Sequence, residues 1–278
     1  MSNGIKVVEG HEQYNAAEGL RATNLKLILE APKLYKWYVV DKNPKKETDA
    51  LRFGNIAHAA LLEPDKLRAN IVIEPKFSGT GMRKAKEDWL TALKPGAMVL
   101  DEKESENLIG MMDCLSQDPD VKGILEKGVP EMSFYWDDDV TGLRCKARPD
   151  FVTEDGWVVN FKTAADATMK GFHYAIQDMA YHLQAANYCV GYKQVFGKDP
   201  QGYIWIVVEK KAPWLSAIYV ADEALMEIGL RDYRYAVDLV TACMKAGEWP
   251  GYQFNKKTGE RTGPQNICVP YGMLLEDS

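Results

Sequence analysis

Asp150, Asn160 and Lys162 lie near one another in the chain, and an acid, a carboxamide oxygen and an ammonium are the parts of a phosphodiester-cleaving site. Oxygen ligands hold a hard divalent cation, which polarises a phosphoryl oxygen and activates water. A lysine steadies the negative charge that develops. The stretches around them, residues 130–136, 143–152 and 157–163, are rich in β-formers. Turn residues separate them: Asp137-Asp138-Asp139 with Thr141-Gly142, and Glu154-Asp155-Gly156. The pattern predicts a three-stranded antiparallel meander. Side chains alternate faces along a strand. Lys146, Arg148 and Asp150 therefore share one face of the second strand; Asn160 and Lys162 share one face of the third, with Val159 and Phe161 opposite. Hairpin strands with ordinary surface charge give the same local pattern, so the remaining motifs must decide.

The chain's 278 residues are enough to bury a substantial core. It has no run of 18 apolar residues, and the N-terminus has no signal-peptide profile, so a soluble intracellular protein without membrane association is expected. Five cysteines, at positions 114, 145, 189, 243 and 268, include no Cys-x-x-Cys pair, which argues against a disulfide framework or a structural zinc site. The net charge of −6 disfavours general coating of nucleic acid, though basic residues gathered in one groove would still serve a DNA enzyme. Basic clusters occur at Lys33, Lys36, Lys42, Lys45, Lys46 and Arg52; at Arg83, Lys84 and Lys86; at Lys210 and Lys211; and at Lys256, Lys257 and Arg261. Each by itself reads as a solvated face.

The elements that would position the site follow from periodicity and end signals. Residues 1–20 are polar and irregular, with room for a short helix. Thr23 reads as the N-cap of a helix over 24–30, and Pro32 opens a second through residue 38. Helix starts attract anions, which makes Arg21 and Thr23 candidate phosphate contacts. A helix over 51–63 stopped by Pro64 places Gly54 and His58 on one face. A basic loop at 76–84 precedes a helix over 85–93, and 101–127 is helical with a break near Asp118-Pro119. Beyond the meander, 168–196 reads as one long helix whose second stripe carries Gln177, Tyr181, Gln184 and Tyr188, suited to a polar cleft. Strands are expected at 202–209 and 214–220, and Asp222 caps a last helix to residue 246. No P-loop or dinucleotide fingerprint is present. The order of elements predicts an α/β protein with a mixed central sheet flanked by helices and a helical N-terminal region. As one domain it comprises 1–128, a core over 129–247 and a tail over 248–278.

Glu131, Arg148-Pro149-Asp150 and Asn160-Phe161-Lys162 together resemble the PD-(D/E)XK nuclease signature, a restriction-endonuclease-like core. Gly54-x-x-x-His58 and Gln184-x-x-x-Tyr188 resemble the flanking motifs of its RecB-like branch. The run from Asp178 to Tyr188 is similar to RecE-type phage and prophage exonucleases, as are the run from Phe53 to Pro64 and Gly251-Tyr252. The likeness spans roughly residues 14–254.

This resemblance implies a Mg²⁺-dependent exonuclease, with Mn²⁺ as a substitute. It would degrade one strand of linear duplex DNA 5′→3′ in the cytoplasm of a bacterial host. The resemblance also implies a ring-shaped homo-oligomer and a RecT-type annealing partner for the 3′ overhang. Asp150 would bind metal together with the Phe161 carbonyl, Lys162 would position the attacking water or stabilise the transition state, and Glu131 and His58 would complete metal or water placement. Gln184, Tyr188 and Tyr181 would hold the DNA or orient the site. Asn160 departs from the family pattern, which has Asp or Glu there. Its carboxamide carries no charge and its nitrogen binds no metal. With the other motif positions intact, Asn160 points to a cleavage-impaired exonuclease whose acid was exchanged to leave DNA uncut. The rivals are a PD-(D/E)XK endonuclease and a non-catalytic DNA-end-binding relative in which Asn160 is native.

Overall fold

Thr48, Asp101, Asp118, Thr168 and Asp222 each accept a backbone N–H from the first turn of the helix that follows. Such caps satisfy donors that the helix itself leaves free, at about 1 kcal/mol each. The computed structural model describes residues 4–253, 255 and 262–264. Lys256, Lys257, Arg261 and Cys268 lie outside the described residues.

The chain opens with β1 (Ile5–Val8), α1 (His11–Ala16), α2 (Ala22–Glu30) and α3 (Pro32–Tyr35), the last running into a π-helical turn at Lys36–Val40. Next come α4 (Asp49–Leu62), α5 (Pro64–Asn70), β2 (Ile71–Ile73), α6 (Met82–Thr91), β3 (Met98–Leu100), α7 (Glu102–Gln117) and α8 (Pro119–Leu125). The strands β4 (Gly128–Pro130), β5 (Met132–Asp137), β6 (Arg144–Ala147), β7 (Phe151–Thr153) and β8 (Trp157–Ala164) follow. The chain then forms α9 (Met169–Met179), α10 (Tyr181–Phe196), β9 (Gly202–Glu209), β10 (Ser216–Val220) and α11 (Glu223–Ala246). None of the described helices is long and apolar enough to cross a membrane.

The main sheet has the order β10-β9-β8-β7-β4 and is mixed: β8 and β9 run parallel, and the other pairs are antiparallel. Alternation along β8 sends Val158 into one apolar cluster and Val159 and Phe161 into the other. Leu25, Phe172, Leu183 and Val237 bring α2, α9, α10 and α11 onto the first face. Ile56, Met111 and Val121 bring α4, α7 and α8 onto the second. This is the expected mixed sheet with helices on both sides.

Four expectations are corrected. The meander is divided between two sheets, because Pro149 separates β6 from β7 and Glu131 separates β4 from β5. Proline donates no ladder hydrogen bond and fits a strand interior poorly. The β5–β6 half gains an unforeseen neighbour in β1, from the stretch expected to be irregular. The helix over 168–196 is broken at Ala180, a left-handed residue with φ 55°, between α9 and α10. The N-cap of α2 is Arg21, not Thr23; its backbone N–H donates to Asn24 Oδ1 at 3.1 Å. A smaller shift is at the last strand, which begins at Ser216 rather than 214.

Candidate active site

β7 and β8 pair only at Phe151–Val159 and Val152–Val158; beyond them β8 is bonded on its β9 side alone. Asp150 fills the gap. Its Oδ2 accepts the Phe161 N–H at 2.6 Å, in place of a ladder partner. A strand residue's N–H and C=O leave on the same edge, so the Phe161 carbonyl faces this edge too. Oδ1 of Asp150 lies 3.3 Å from Nδ1 of His58. α4 delivers that imidazole, edge-on to the Phe161 ring at 5.1 Å between centroids. Gly54, one turn earlier, is not required by packing: a Cβ there would meet only Thr163 Oγ1, at 3.9 Å.

Glu131 sits at the bend between β4 and β5 with φ 54°, its N–H donating to Asp150 O at 2.9 Å. Its carboxylate accepts from Nε of Arg148, whose terminal nitrogen also reaches Ser133 Oγ at 3.1 Å. One ligand atom each from His58, Glu131 and Asp150 fall within 4.8 Å of one another. Burial, and then the Asp150 charge, raise the Glu131 carboxyl above the ordinary range, with Arg148 partly offsetting them. Burial also pushes Asp150 upward, but His58, Lys162 and the Phe161 N–H together outweigh it and leave Asp150 below its ordinary value.

Lys162 sits with its ammonium 4.6 Å from the centre of the Tyr181 ring. Burial brings its pKa down to about 8, against the opposing charge of Asp150. From α10, Gln184 Nε2 donates to the Tyr188 hydroxyl at 3.0 Å. Asn160 is 1% exposed, and its Oδ1 has no hydrogen-bond partner; buried Gln184 Oε1 is likewise unpartnered. Buried acceptors are nearly always satisfied. The carboxylates of Glu131 and Asp150 and an imidazole nitrogen of His58, close enough together to share one ion, make a donor set that fits a divalent cation.

A cleft of about 450 Å³ gathers His58, Glu131, Asp150 and Lys162 with Gln184 and Tyr188. Arg21 and Thr23 also line it, the Arg21 guanidinium donating to Asn15 Oδ1 at 2.8 Å. Tyr181 backs Lys162 and is not among the residues lining the cleft, nor is Asn160. Gln177, expected on the same wall, lines a separate groove with His173 and His182, because the break at Ala180 turns α9 away from the α10 stripe. Among the described residues, none of the basic-cluster residues lines this cleft. Arg52 is bound to Val99 O at 2.5 Å and to Glu104, Lys36 pairs with Asp41, and Lys86 pairs with Glu74. Residue types alone gave no sign of the contacts between Arg148, Tyr14 and Ser133. The one available hint was that Arg148 alternates with Asp150 onto the same face.

A family model described as a PDDEXK-like domain of unknown function (DUF3799) matches residues 22–257. No curated protein matches the chain. Among solved structures, a protein from Eubacterium rectale provisionally named an exonuclease is similar, with a TM-score of 0.63 and 11% identity. That likeness covers 98% of this chain and 100% of the other. A phage-related exonuclease from Haemophilus somnus 129PT aligns at a TM-score of 0.36 and 10% identity, over 85% of this chain and 100% of that one. The first likeness agrees with the fold reached from the strands. The PDDEXK-like family match agrees with the PD-(D/E)XK resemblance read from the sequence motifs. The chain belongs to the PDDEXK-like DUF3799 family.

Proposed function

We propose that the chain is a nuclease site for linear duplex DNA, working from an end in the 5′→3′ direction, in which Asn160 holds cleavage down. The observation that carries this is the meeting of Asp150, Glu131, His58 and Lys162 in one cleft, with the orphaned Oδ1 of buried Asn160 on the Lys162 face of β8. Asp150, Glu131, His58 and the Asn160 oxygen would hold Mg²⁺ or Mn²⁺, with the Phe161 carbonyl on the same edge. The cation would supply Lewis acidity toward the phosphoryl oxygen and compensate its charge.

The chain's own groups do the rest. His58 and the Phe161 N–H fix both oxygens of Asp150, so its carboxylate is aimed before substrate arrives. Lys162, held against Tyr181, presents a positive charge to the developing phosphorane-like anion or to the attacking water. Gln184 and Tyr188 form a coupled polar wall for the backbone, and Arg21, the N-cap of α2 and a lining residue of the same cleft, would meet phosphate. The resemblance further supports a 3′ single-stranded product passed to an annealing protein, and a ring of copies around the DNA.

The test is an end-labelled linear duplex with the Asn160→Asp chain and Mg²⁺. We expect mononucleotides released from the 5′ end, while covalently closed plasmid stays intact. Cutting of closed plasmid would favour an endonuclease. A variant that binds ends yet stays inert, with Lys162→Ala making no further difference, would mark an end-binding module.

A further inference from the structure

We propose that Arg148 is a positioning residue for Glu131, braced from outside the family match by Tyr14 of the N-terminal arm. This rests on the proposed cation role of Glu131. The left-handed backbone at Glu131 interrupts the strand, so the ladder does not dictate where its side chain goes. Its carboxylate also faces that of Asp150 within the same small cluster. Arg148 answers both problems. It is 7% exposed, its Nε takes the Glu131 carboxylate, and its terminal nitrogen takes Ser133 Oγ. The planar fork thus spans the bend and ties Glu131 to β5, a geometry that a lysine cannot reproduce.

The arm completes the brace. The Tyr14 ring lies 5.7 Å from the Arg148 guanidinium carbon and 4.6 Å from Lys146 Nζ. Lys146 in turn donates to the carbonyls of Tyr14 and Ala17 at 2.7 and 2.6 Å, locking the arm to β6. Tyr14 precedes residue 22, where the family match begins.

The test is Mn²⁺ titration calorimetry on the full chain and on its Asn160→Asp form, with melting in EDTA alongside. Arg148→Met and Arg148→Lys should each weaken Mn²⁺ binding about 10–100-fold. Arg148→Lys should do so with little change in melting in EDTA. In a Glu131→Gln background, Arg148→Met should add less than about a twofold loss, since both act through one carboxylate. A full additive loss in that background, or Arg148→Lys binding Mn²⁺ like the parent, would overturn the proposal. Failure of both the parent and the Asn160→Asp form to bind Mn²⁺ would overturn the cation site and this proposal together. Binding that persists unchanged in Arg148→Met overturns this proposal alone.

Discussion

Asn160→Asp tests the site through stability as well as cleavage. Position 160 is 1% exposed, and its Oδ1 has no partner. A carboxylate there, on the β8 face it shares with Lys162 and near Asp150, is a buried charge short of compensation, which costs about 3–5 kcal/mol. Lys162 offsets part of this, leaving about 2–3 kcal/mol. For a chain of this size each kcal/mol moves the melting temperature by about 2–4 °C. The variant in EDTA should therefore melt about 4–12 °C below the parent. Mg²⁺ offsets this cost, because a ligand at a hundred times its dissociation constant stabilises by about 2.7 kcal/mol. The variant should regain most of its loss in excess Mg²⁺, while the parent, one carboxylate short, shifts far less. Differential scanning calorimetry of both chains in EDTA and in Mg²⁺ reads the difference directly. Equal melting of the two chains in EDTA, with equal Mg²⁺ shifts, would refute the placement of position 160 at the cation cluster.

Lys162→Met in the Asn160→Asp background should lower the rate of duplex digestion by about 10²–10³-fold, while the Mg²⁺-induced rise in melting temperature remains; a loss of both would mean that the lysine shapes the cation site. His58→Ala should weaken Mn²⁺ binding by about tenfold or more, read by calorimetry, because it removes one donor and frees an oxygen of Asp150. Ala180→Gly should raise stability by about 0.5–1 kcal/mol in chemical denaturation, since φ 55° strains a residue with a Cβ. Cys145, fully buried and with its thiol pushed up to about 12 by burial, should resist a thiol reagent at pH 8 in the native chain and react once it is unfolded.

The site's ingredients were legible where chemistry is local. Strand alternation put Asn160 and Lys162 on one face and Val159 and Phe161 on the other, and the two apolar clusters follow that division. Proline and capping residues announced the break before α8 and the start of α11. Gln184 and Tyr188, one helical turn apart, had to share a face, and they meet at 3.0 Å.

Contacts between distant segments had no such local cause. The pairing of β1 with β5, the 3.3 Å approach of His58 to Asp150, and the clasp of Lys146 on the carbonyls of Tyr14 and Ala17 each join segments remote in the chain. Nor does any residue type announce the left-handed turns at Glu131 and Ala180, because neither is glycine or asparagine; the surrounding packing imposes them. Periodicity therefore sufficed to say which residues could act together. Where they meet depended on the bend at Glu131, the parting of β7 from β8 and the turn at Ala180, since only long-range packing sets the direction in which a broken element resumes.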